Sequence, residues 1–236
     1  MLSIKIFVSP KSYLTLFVVL VLGFGASAQN KQIDTLNFLY KKGFKIHYSG
    51  ERILYDSYNF PKSKSLSTLE YSVTDQKQKG KENVLRFQSS QCDDKDTSSF
   101  GSYLYINDDG MYFWLWDEEK KMKEKTKTQP ISLPLRKGKV WDSYYGKHPA
   151  KMECISTDSL IKTPLGSFNT FVVKVTFMDN PQKDYDKEIT MVDFYDANLG
   201  QVEVQMTATA IFKKVDTIRK KISETTLLAD KITKPE

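Results

Sequence analysis

Histidine is scarce in this chain, and its scarcity limits the kinds of site that we expect. The 236 residues include two histidines, His47 and His148, which lie far apart in the sequence. A histidine-based metal site needs ligands at defined spacings, and neither residue has such a partner. We therefore expect no metal site and a structural or surface role for both. A histidine in a cleft beside a carboxylate would instead favour an enzyme.

Motifs typical of catalysis are also absent. The sequence contains no Gly-x-Ser-x-Gly elbow and no glycine-rich phosphate-binding loop. The acidic segment that begins at Asp94 has Ser99 and Tyr105 where a helix-loop-helix calcium site has glycine and glutamate. Sequence motifs do not reveal a Ser-His-Asp group whose members are distant in the sequence and meet only in the folded chain. We therefore predict a protein that is not an enzyme, with no catalytic residue and no cofactor.

Long hydrophobic runs are confined to the N-terminus. Two lysines precede an apolar run at residues 14–26, and Ala26 and Ala28 follow the small-residue pattern of a signal-peptidase site. The run is shorter than the ~20 residues that a membrane-spanning helix needs, which favours a cleaved signal peptide over an uncleaved anchor. We predict a signal peptide at residues 1–28, cleaved after Ala28. The mature chain is then periplasmic or secreted, without an integral membrane span.

A strong excess of one charge is missing as well. The net charge is +6, and the signal peptide contributes two lysines and no acid, which leaves +4 for the mature chain. Nucleic-acid binding usually needs a concentrated basic face. We therefore expect no nucleic-acid partner.

The chain has two cysteines, Cys92 and Cys154. Export to an oxidising compartment would allow them to form a disulfide. A disulfide that closes the loop from residue 92 to residue 154 would stabilise the fold by roughly 4 kcal/mol in the loop-entropy model. Two separate thiols are the alternative, because the sequence does not show whether the residues approach each other.

Most of the mature chain alternates between apolar and polar residues with a period of two, which is typical of half-buried β-strands. Residues 171–177 show it best, with the apolar side chains Phe171, Val173, Val175 and Phe177 on one face. Similar runs occur at 44–48, 68–74, 84–90, 103–106, 150–155, 189–195, 201–206, 208–215 and 224–232. The pattern predicts an all-β fold, a strongly curved antiparallel sheet or open β-barrel. We expect a lead-in at residues 29–43 and a single antiparallel β domain at residues 44–236.

Turn chemistry separates several of these runs. Gly110, Gly166 and Gly200 close short polar or proline-containing segments at residues 107–110, 163–166 and 198–200. Glycine supplies the positive φ that tight turns need. We predict a hairpin turn at each of the three segments.

Residues 110–116 are apolar on both faces. Such a run is either a central strand covered on both sides or a strand with one face on an apolar cavity. The candidate lining of that cavity combines this run with the alternating strand: Tyr112, Trp114, Trp116, Phe171, Val173, Val175 and Phe177. The charged residues 117–127 that follow predict a solvated segment.

Three segments of the second half resemble a known family. Residues 134–141 are similar to a Pro-Leu-x-x-Gly-x-x-Trp motif, residues 162–168 to a Thr-Pro-x-Gly-x-Phe turn, and residues 195–202 to a closing Gly-x-Val hairpin. These motifs are those of the TapB-like family of uncharacterised secreted bacterial β-domains. The match covers about residues 134–205, and the family's cysteine or tyrosine after the turn is replaced by Thr170 and Phe171. The resemblance implies a curved sheet like that of periplasmic lipoprotein carriers, with an apolar concave face and no assigned activity.

Two functions are consistent with these features. The first is an envelope protein that holds a lipid or another hydrophobic molecule in a pocket of the curved sheet. The second is an interaction module that binds cell-wall polysaccharide or another envelope protein through residues 117–127, Tyr144 and Tyr145.

Overall fold

The computed structural model describes residues 31–79, 82–93, 96–115, 128–179, 185–212 and 218–235. The predicted signal peptide, Trp116 and the charged residues 117–127 lie outside these ranges. The residues from Gln32 onward belong to one unit of the chain, and the fold of that unit is described below.

Twelve β-strands form one antiparallel sheet in the described part of the chain. Each strand pairs with its neighbours in sequence, except that β1 pairs with β12 and that β6 and β7 stand at the two ends of the sheet order. The strands are β1 (Lys45–Tyr55), β2 (Pro61–Lys79), β3 (Glu82–Asp93), β4 (Asp96–Asn107), β5 (Gly110–Leu115), β6 (Thr128–Ser132), β7 (Val140–Tyr145), β8 (His148–Thr163), β9 (Gly166–Met178), β10 (Tyr185–Asp196), β11 (Gly200–Phe212) and β12 (Arg219–Thr233). The all-β prediction is therefore confirmed.

The core follows from the period of two along the strands. On β9, the predicted face of alternating apolar residues is buried, and β10 continues it through Met191, which pairs with Val175. Tyr48 on β1 and Met152 on β8 are fully buried on the same inner side of the sheet. Apolar side chains from strands far apart in sequence thus form one interior.

The three predicted turns are present at the ends of hairpins. Gly110, Gly166 and Gly200 have φ values of 138°, 133° and 87°. Gly200 also lies against the lead-in, since a Cβ atom at this position would collide with the hydroxyl of Tyr40. The backbone therefore needs glycine here for two separate reasons, its positive φ and its closeness to an aromatic ring.

The sheet nearly closes into a barrel, with one seam in its described part where β6 meets β7. Side chains of β7 hold this seam through the backbone of Gln129 on β6. The Gln129 amide donates to Oγ of Ser143 at 2.7 Å, and Nε1 of Trp141 donates to the Gln129 carbonyl at 2.8 Å. Two side-chain hydrogen bonds therefore take the place of a backbone ladder.

The connection between β6 and β7 is organised by Lys139. Its Nζ atom donates to the carbonyl of Ser132 at 2.7 Å, to Oγ of Ser132 at 3.1 Å and to the carbonyl of Pro134 at 2.9 Å. The Lys139 backbone also bonds to Cys154, whose amide donates to the Lys139 carbonyl at 2.8 Å. The family-like segment at residues 134–141 thus ties the seam to β8.

Candidate functional site

A cavity of about 410 Å³ lies among the inner faces of the strands. Its wall is mostly apolar and aromatic, and it is formed by Tyr40, Tyr71, Phe87, Gln91, Phe100, Ser102, Leu104, Met111, Phe113, Thr128, Pro130, Tyr145, Gly146, Met152, Val175, Met191, Asp193, Tyr195 and Gln201. Phe100 on β4 is 41% exposed, so the cavity meets solvent at this residue. The size lies within the range of about 300–1,000 Å³ that small-molecule sites occupy.

One carboxyl group, that of Asp193 on β10, lies on this apolar wall. Its side chain is 4% exposed, and its Oδ1 atom has no hydrogen-bond partner among the described residues. The Tyr195 hydroxyl donates a long hydrogen bond of 3.5 Å to Oδ2. Burial raises the pKa of Asp193 to about 7, and hydrogen bonds from Gln201 and Tyr195 partly oppose this rise. The group therefore changes its charge near neutral pH.

A second polar atom of the wall is also unpartnered. Thr128 on β6 is fully buried, and its Oγ1 atom has no hydrogen-bond partner in the described structure. Buried polar atoms in native proteins are normally hydrogen-bonded. Both atoms belong to residues that line the cavity, and the described part of the chain supplies no partner for either of them.

Four tyrosines share the cavity with Asp193. Burial raises the pKa of Tyr40 and of Tyr145 to about 12 and raises the pKa of Tyr71 and Tyr195 as well. All four hydroxyls therefore remain protonated at neutral pH. The tyrosines contribute neutral rings and hydroxyl groups, while Asp193 supplies the charge.

Gln201 reaches the cavity through a shift in strand register. The pairing of β10 with β11 shifts by one residue between Phe194 and Tyr195, so that Gln201 stands opposite Tyr195. The Gln201 amide donates to the Tyr40 hydroxyl at 3.2 Å, and its carbonyl accepts from the Tyr48 hydroxyl at 2.8 Å. The side chain of Gln201 is thereby held on the same face as Asp193.

The predicted pocket residues of β9 occupy three different positions. Val175 lines the cavity, while Val173 is buried and pairs with Asp193. Phe171 and Phe177 do not line the cavity but stack on two tyrosines that do. The ring centroids are 5.3 Å apart for Phe171 and Tyr195, and 4.8 Å apart for Phe177 and Tyr145.

The predicted residues of β5 are arranged differently from the expectation. The cavity face of this strand carries Met111 and Phe113, whereas Tyr112 is half-buried and stacks on Tyr105 with a centroid distance of 4.9 Å. Its hydroxyl accepts a hydrogen bond from Nε2 of Gln129 at 2.8 Å. The side chain of Trp114 and all of Trp116 lie outside the described residues.

The two cysteines are not joined. Cys92 is an exposed free thiol on β3, and Cys154 is a buried free thiol on β8. These strands are not neighbours in the sheet, so the disulfide alternative is not realised in this structure. Burial raises the pKa of Cys154 to about 11, which keeps this thiol in its unreactive protonated form.

His47 lies beside a carboxylate in a groove of about 400 Å³ that Lys45, Glu70, Lys231 and Thr233 also line. Its Nδ1 atom is 2.6 Å from Oδ1 of Asp230, and the Ser49 side chain hydrogen-bonds to the same carboxylate. In a nucleophilic triad the histidine stands between serine and carboxylate. Here the carboxylate stands between the other two, so the contacts described do not activate Ser49. The pair does meet the condition named above as favouring an enzyme, a histidine in a cleft beside a carboxylate.

His148 forms the other histidine–carboxylate pair, with Nε2 3.7 Å from Oδ1 of Asp179. Lys187 also binds this carboxylate at 2.9 Å. Within the described ranges, no three histidine, cysteine or acidic side chains group together as metal ligands. Nor does any helix in those ranges have the length and apolarity to cross a membrane.

The cavity residues that the sequence did not reveal come mainly from separate segments. Tyr40, Tyr71 and Tyr145 belong to the lead-in, β2 and β7, and no local pattern connects them. Asp193 did carry a signal, because it stands at the same strand parity as Ile189, Met191 and Tyr195. A carboxylate on the apolar face of a strand is a candidate functional residue.

Comparisons with known proteins identify the fold. No family model and no curated protein matches the chain, so the TapB-like resemblance stays a prediction. A solved structure from Bacteroides fragilis, described as a candidate exported protein with a YmcC-like fold, is 14% identical with a TM-score of 0.50. It covers 85% of this chain and 100% of its own.

A second solved structure is that of a candidate lipoprotein from Parabacteroides distasonis. It is 12% identical with a TM-score of 0.43, over 84% of this chain and 99% of its own. The single-sheet architecture of the present chain is thus shared with the Bacteroides fragilis protein, whose fold is YmcC-like.

Proposed function

We propose that this protein is a non-enzymatic envelope protein that holds a lipid or another hydrophobic molecule inside its curved sheet. The observation that carries this proposal is the cavity of about 410 Å³ with its apolar and aromatic wall. Ligand sites of this type combine a mostly apolar wall with a few polar groups that orient the ligand. Asp193, Thr128 and Gln201 would provide those polar groups.

The envelope location is part of the same proposal. It is supported by the signal-peptide pattern at residues 1–28 and by the description of the Bacteroides fragilis protein as a candidate exported protein. A protein of the envelope meets lipids and other amphiphiles at high local concentration, which gives an apolar cavity a ready supply of ligands.

Binding is favoured over catalysis by the chemistry of the cavity. A nucleophilic mechanism needs a nucleophile beside a base that activates it. Asp193 has the pKa of a general base, but burial raises the pKa of the tyrosines that share the cavity, so none of them is a phenolate nucleophile at neutral pH. The mostly apolar wall suits ligand orientation better than nucleophilic catalysis.

Native mass spectrometry tests the proposal directly. The mature protein, purified from its native envelope without detergent exchange, is expected to carry an additional mass that organic extraction removes. A spectrum of the bare polypeptide, together with no binding of lipid extract to the purified protein, would contradict the proposal.

A cavity-filling variant makes the test specific. Val175→Phe places a larger side chain in the cavity and should reduce ligand occupancy severalfold. Thr176→Phe on the opposite face of β9 is the matched control, since Thr176 is half-buried and not part of the cavity wall. Equal occupancy in both variants would place the ligand elsewhere.

The interaction module remains the second candidate, and one surface favours it. At the turn between β1 and β2, Tyr58 and Phe60 are 78% and 68% exposed. Large exposed apolar residues often mark protein contacts. A pull-down from envelope extract should then lose its protein partner in the Tyr58→Ser/Phe60→Ser variant. Tyr145 gives weaker support to the interaction module, because its side chain lines the cavity.

A further inference from the structure

Asp193 is the polar group that an apolar cavity does not explain. Its Oδ1 atom is buried without a hydrogen-bond partner among the described residues. A carboxylate whose hydrogen bonds and charge are not compensated is among the least favourable groups to bury. Because Asp193 lines a ligand-sized cavity, a bound molecule that reaches its carboxyl group can supply a compensating partner.

The groups around the carboxyl leave a place for a positive charge. Tyr195 and Gln201 hydrogen-bond to Asp193, and both are neutral. The residues that form the described wall include no lysine, arginine or histidine. The chain therefore supplies neutral hydrogen-bond donors to Asp193 but no cation from this wall.

The aromatic part of the wall favours the same kind of partner. Tyr40, Tyr71, Tyr145 and Tyr195 all line the cavity, and the faces of aromatic rings attract cations, most strongly where water is excluded. The charge of Asp193 contributes to the raised pKa of Tyr71, Tyr145 and Tyr195, after burial as the main cause, so these hydroxyls lie near the carboxyl group. A cation next to Asp193 would therefore have both a carboxylate and aromatic rings near it.

From this geometry we infer that the bound molecule is an apolar amine, whose hydrocarbon body fills the cavity and whose protonated amino group pairs with the carboxyl group of Asp193. The inference rests on the proposed function, because it names the ligand class of the same cavity. A hydroxyl group could donate to Asp193 as well, but it would not neutralise the buried charge.

Four probes with the same twelve-carbon chain test the inference: dodecylamine, dodecanol, dodecanoate and dodecyltrimethylammonium. Binding to the delipidated mature protein is measured by calorimetry at pH 8, below the micelle concentration of each probe. Dodecylamine should bind about tenfold or more tightly than dodecanol, since an ion pair with the carboxylate replaces a hydrogen bond from an uncharged hydroxyl. Dodecanoate should bind most weakly, because it places a second negative charge beside Asp193. The trimethylammonium probe separates charge from hydrogen-bond donation, since it has the charge without an N–H group.

Two variants assign the preference to the carboxylate. Asp193→Asn keeps the size of the side chain and removes its charge, so dodecylamine and dodecanol should then bind within about twofold of each other. Glu203→Gln is the control: this buried carboxylate on β11 is hydrogen-bonded to Gln205 at 2.7 Å and is not part of the cavity wall. It should leave the tenfold preference unchanged.

The preference should also depend on pH. The pKa of Asp193 is about 7 because of burial, and the facing tyrosines from the lead-in, β1, β2, β7 and β10 stay neutral because burial raises their pKa values. At pH 5 Asp193 is protonated, so dodecylamine should bind several times more weakly than at pH 8. Dodecanol should change little over the same range.

The outcomes separate the inference from the proposed function. Equal binding of dodecylamine and dodecanol, or an amine preference that survives Asp193→Asn, overturns the inference and leaves the proposed function intact. A failure of all four probes to bind to the wild-type protein, with no effect of Val175→Phe, overturns both. An amine preference that Asp193→Asn abolishes and Glu203→Gln retains supports both.

Discussion

The hydroxyl of Tyr48 donates a hydrogen bond of 2.8 Å to the main-chain carbonyl of Gln201, and the two residues are 153 positions apart in the sequence. The pairing of β11 with β12 begins only at Glu203. At Gln201, the Tyr48 hydroxyl therefore provides the hydrogen-bond donor that a neighbouring strand would otherwise supply. The Tyr40 hydroxyl accepts a hydrogen bond from the backbone amide of Gln201. The cavity end of β11 is therefore fixed by side chains of the lead-in and β1.

Replacement of Tyr48 by phenylalanine should destabilise the protein by about 1–3 kcal/mol, because it leaves the partly buried Gln201 carbonyl without this donor. Tyr58→Phe is the control, since Tyr58 is largely exposed. Urea unfolding measures both changes. Equal stability of the two variants would show that the hydrogen bond contributes nothing.

Replacement of Gly200 by alanine should destabilise the fold more than the same change at Gly138. The two glycines have similar φ values, 87° and 82°, so the strain of a positive φ, about 1–2 kcal/mol, is common to both. A Cβ atom at Gly200 collides with the Tyr40 hydroxyl, whereas a Cβ atom at Gly138 meets no atom within 4 Å. The additional loss at Gly200 should be about 1–3 kcal/mol, measured by thermal unfolding. A difference near zero would mean that Tyr40 moves away at no cost.

Stability should fall as the pH rises from 4 to 7 in the delipidated protein. Burial raises the pKa of Asp193 from 3.8 to about 7, so the folded state keeps a proton that the unfolded state has released. Linkage then gives a loss of up to roughly 4 kcal/mol across this interval, with no further change from this group above it.

The Asp193→Asn variant isolates this effect, since it retains every other titrating group. The difference in unfolding free energy between the variant and the wild type should therefore grow between pH 4 and pH 7 and stay constant to pH 8.5. A difference that does not vary with pH would show that Asp193 keeps an ordinary pKa.

The double change Trp141→Phe/Ser143→Ala should loosen the seam between β6 and β7. It removes both side-chain partners of the Gln129 backbone, so amide exchange in residues 128–132 should accelerate and stability should fall by about 1–3 kcal/mol. Tyr144→Phe on the exposed face of β7 serves as the control. Unchanged exchange in β6 would mean that other contacts hold the seam.

Thiol labelling at pH 8 should distinguish the two cysteines without any reductant. Cys92 is exposed and should react in the folded protein, whereas Cys154 is buried with a pKa raised to about 11 and should react only after unfolding. The expected count is one thiol in buffer and two in urea. Failure to label either thiol in urea would instead indicate a disulfide.

The sequence predicted the strands whose two faces differ in polarity, and it failed where that contrast is missing. Residues 171–177 alternate clearly, and β9 contains them. β6 was not predicted, because it is short, contains Pro130 and carries polar residues on both sides; its place at the edge of the sheet order agrees with the rule that proline in a sheet favours edges. Both faces of β5 are apolar, so the sequence did not indicate which of them lines the cavity.

The cavity was less accessible to prediction than the strands. Pairing over long distances in sequence brings Tyr40, Tyr71 and Tyr145 together, and no local spacing encodes such an arrangement. Asp193 was the exception, since its parity on β10 places it among Met191 and Tyr195. The register shift that places Gln201 beside it depends on contacts with Tyr40 and Tyr48, which only the folded chain provides.

The pairing of the first strand with the last has a consequence for how this chain matures. β1 and β12 are neighbours in the middle of the sheet order, from Lys45 opposite Thr233 to Leu54 opposite Ser223. Two six-strand halves can each form from consecutive hairpins, but they cannot be joined until the C-terminal residues are free to pair. A chain that crosses a membrane with its N-terminus first would thus complete its sheet only after the residues of β12 have emerged.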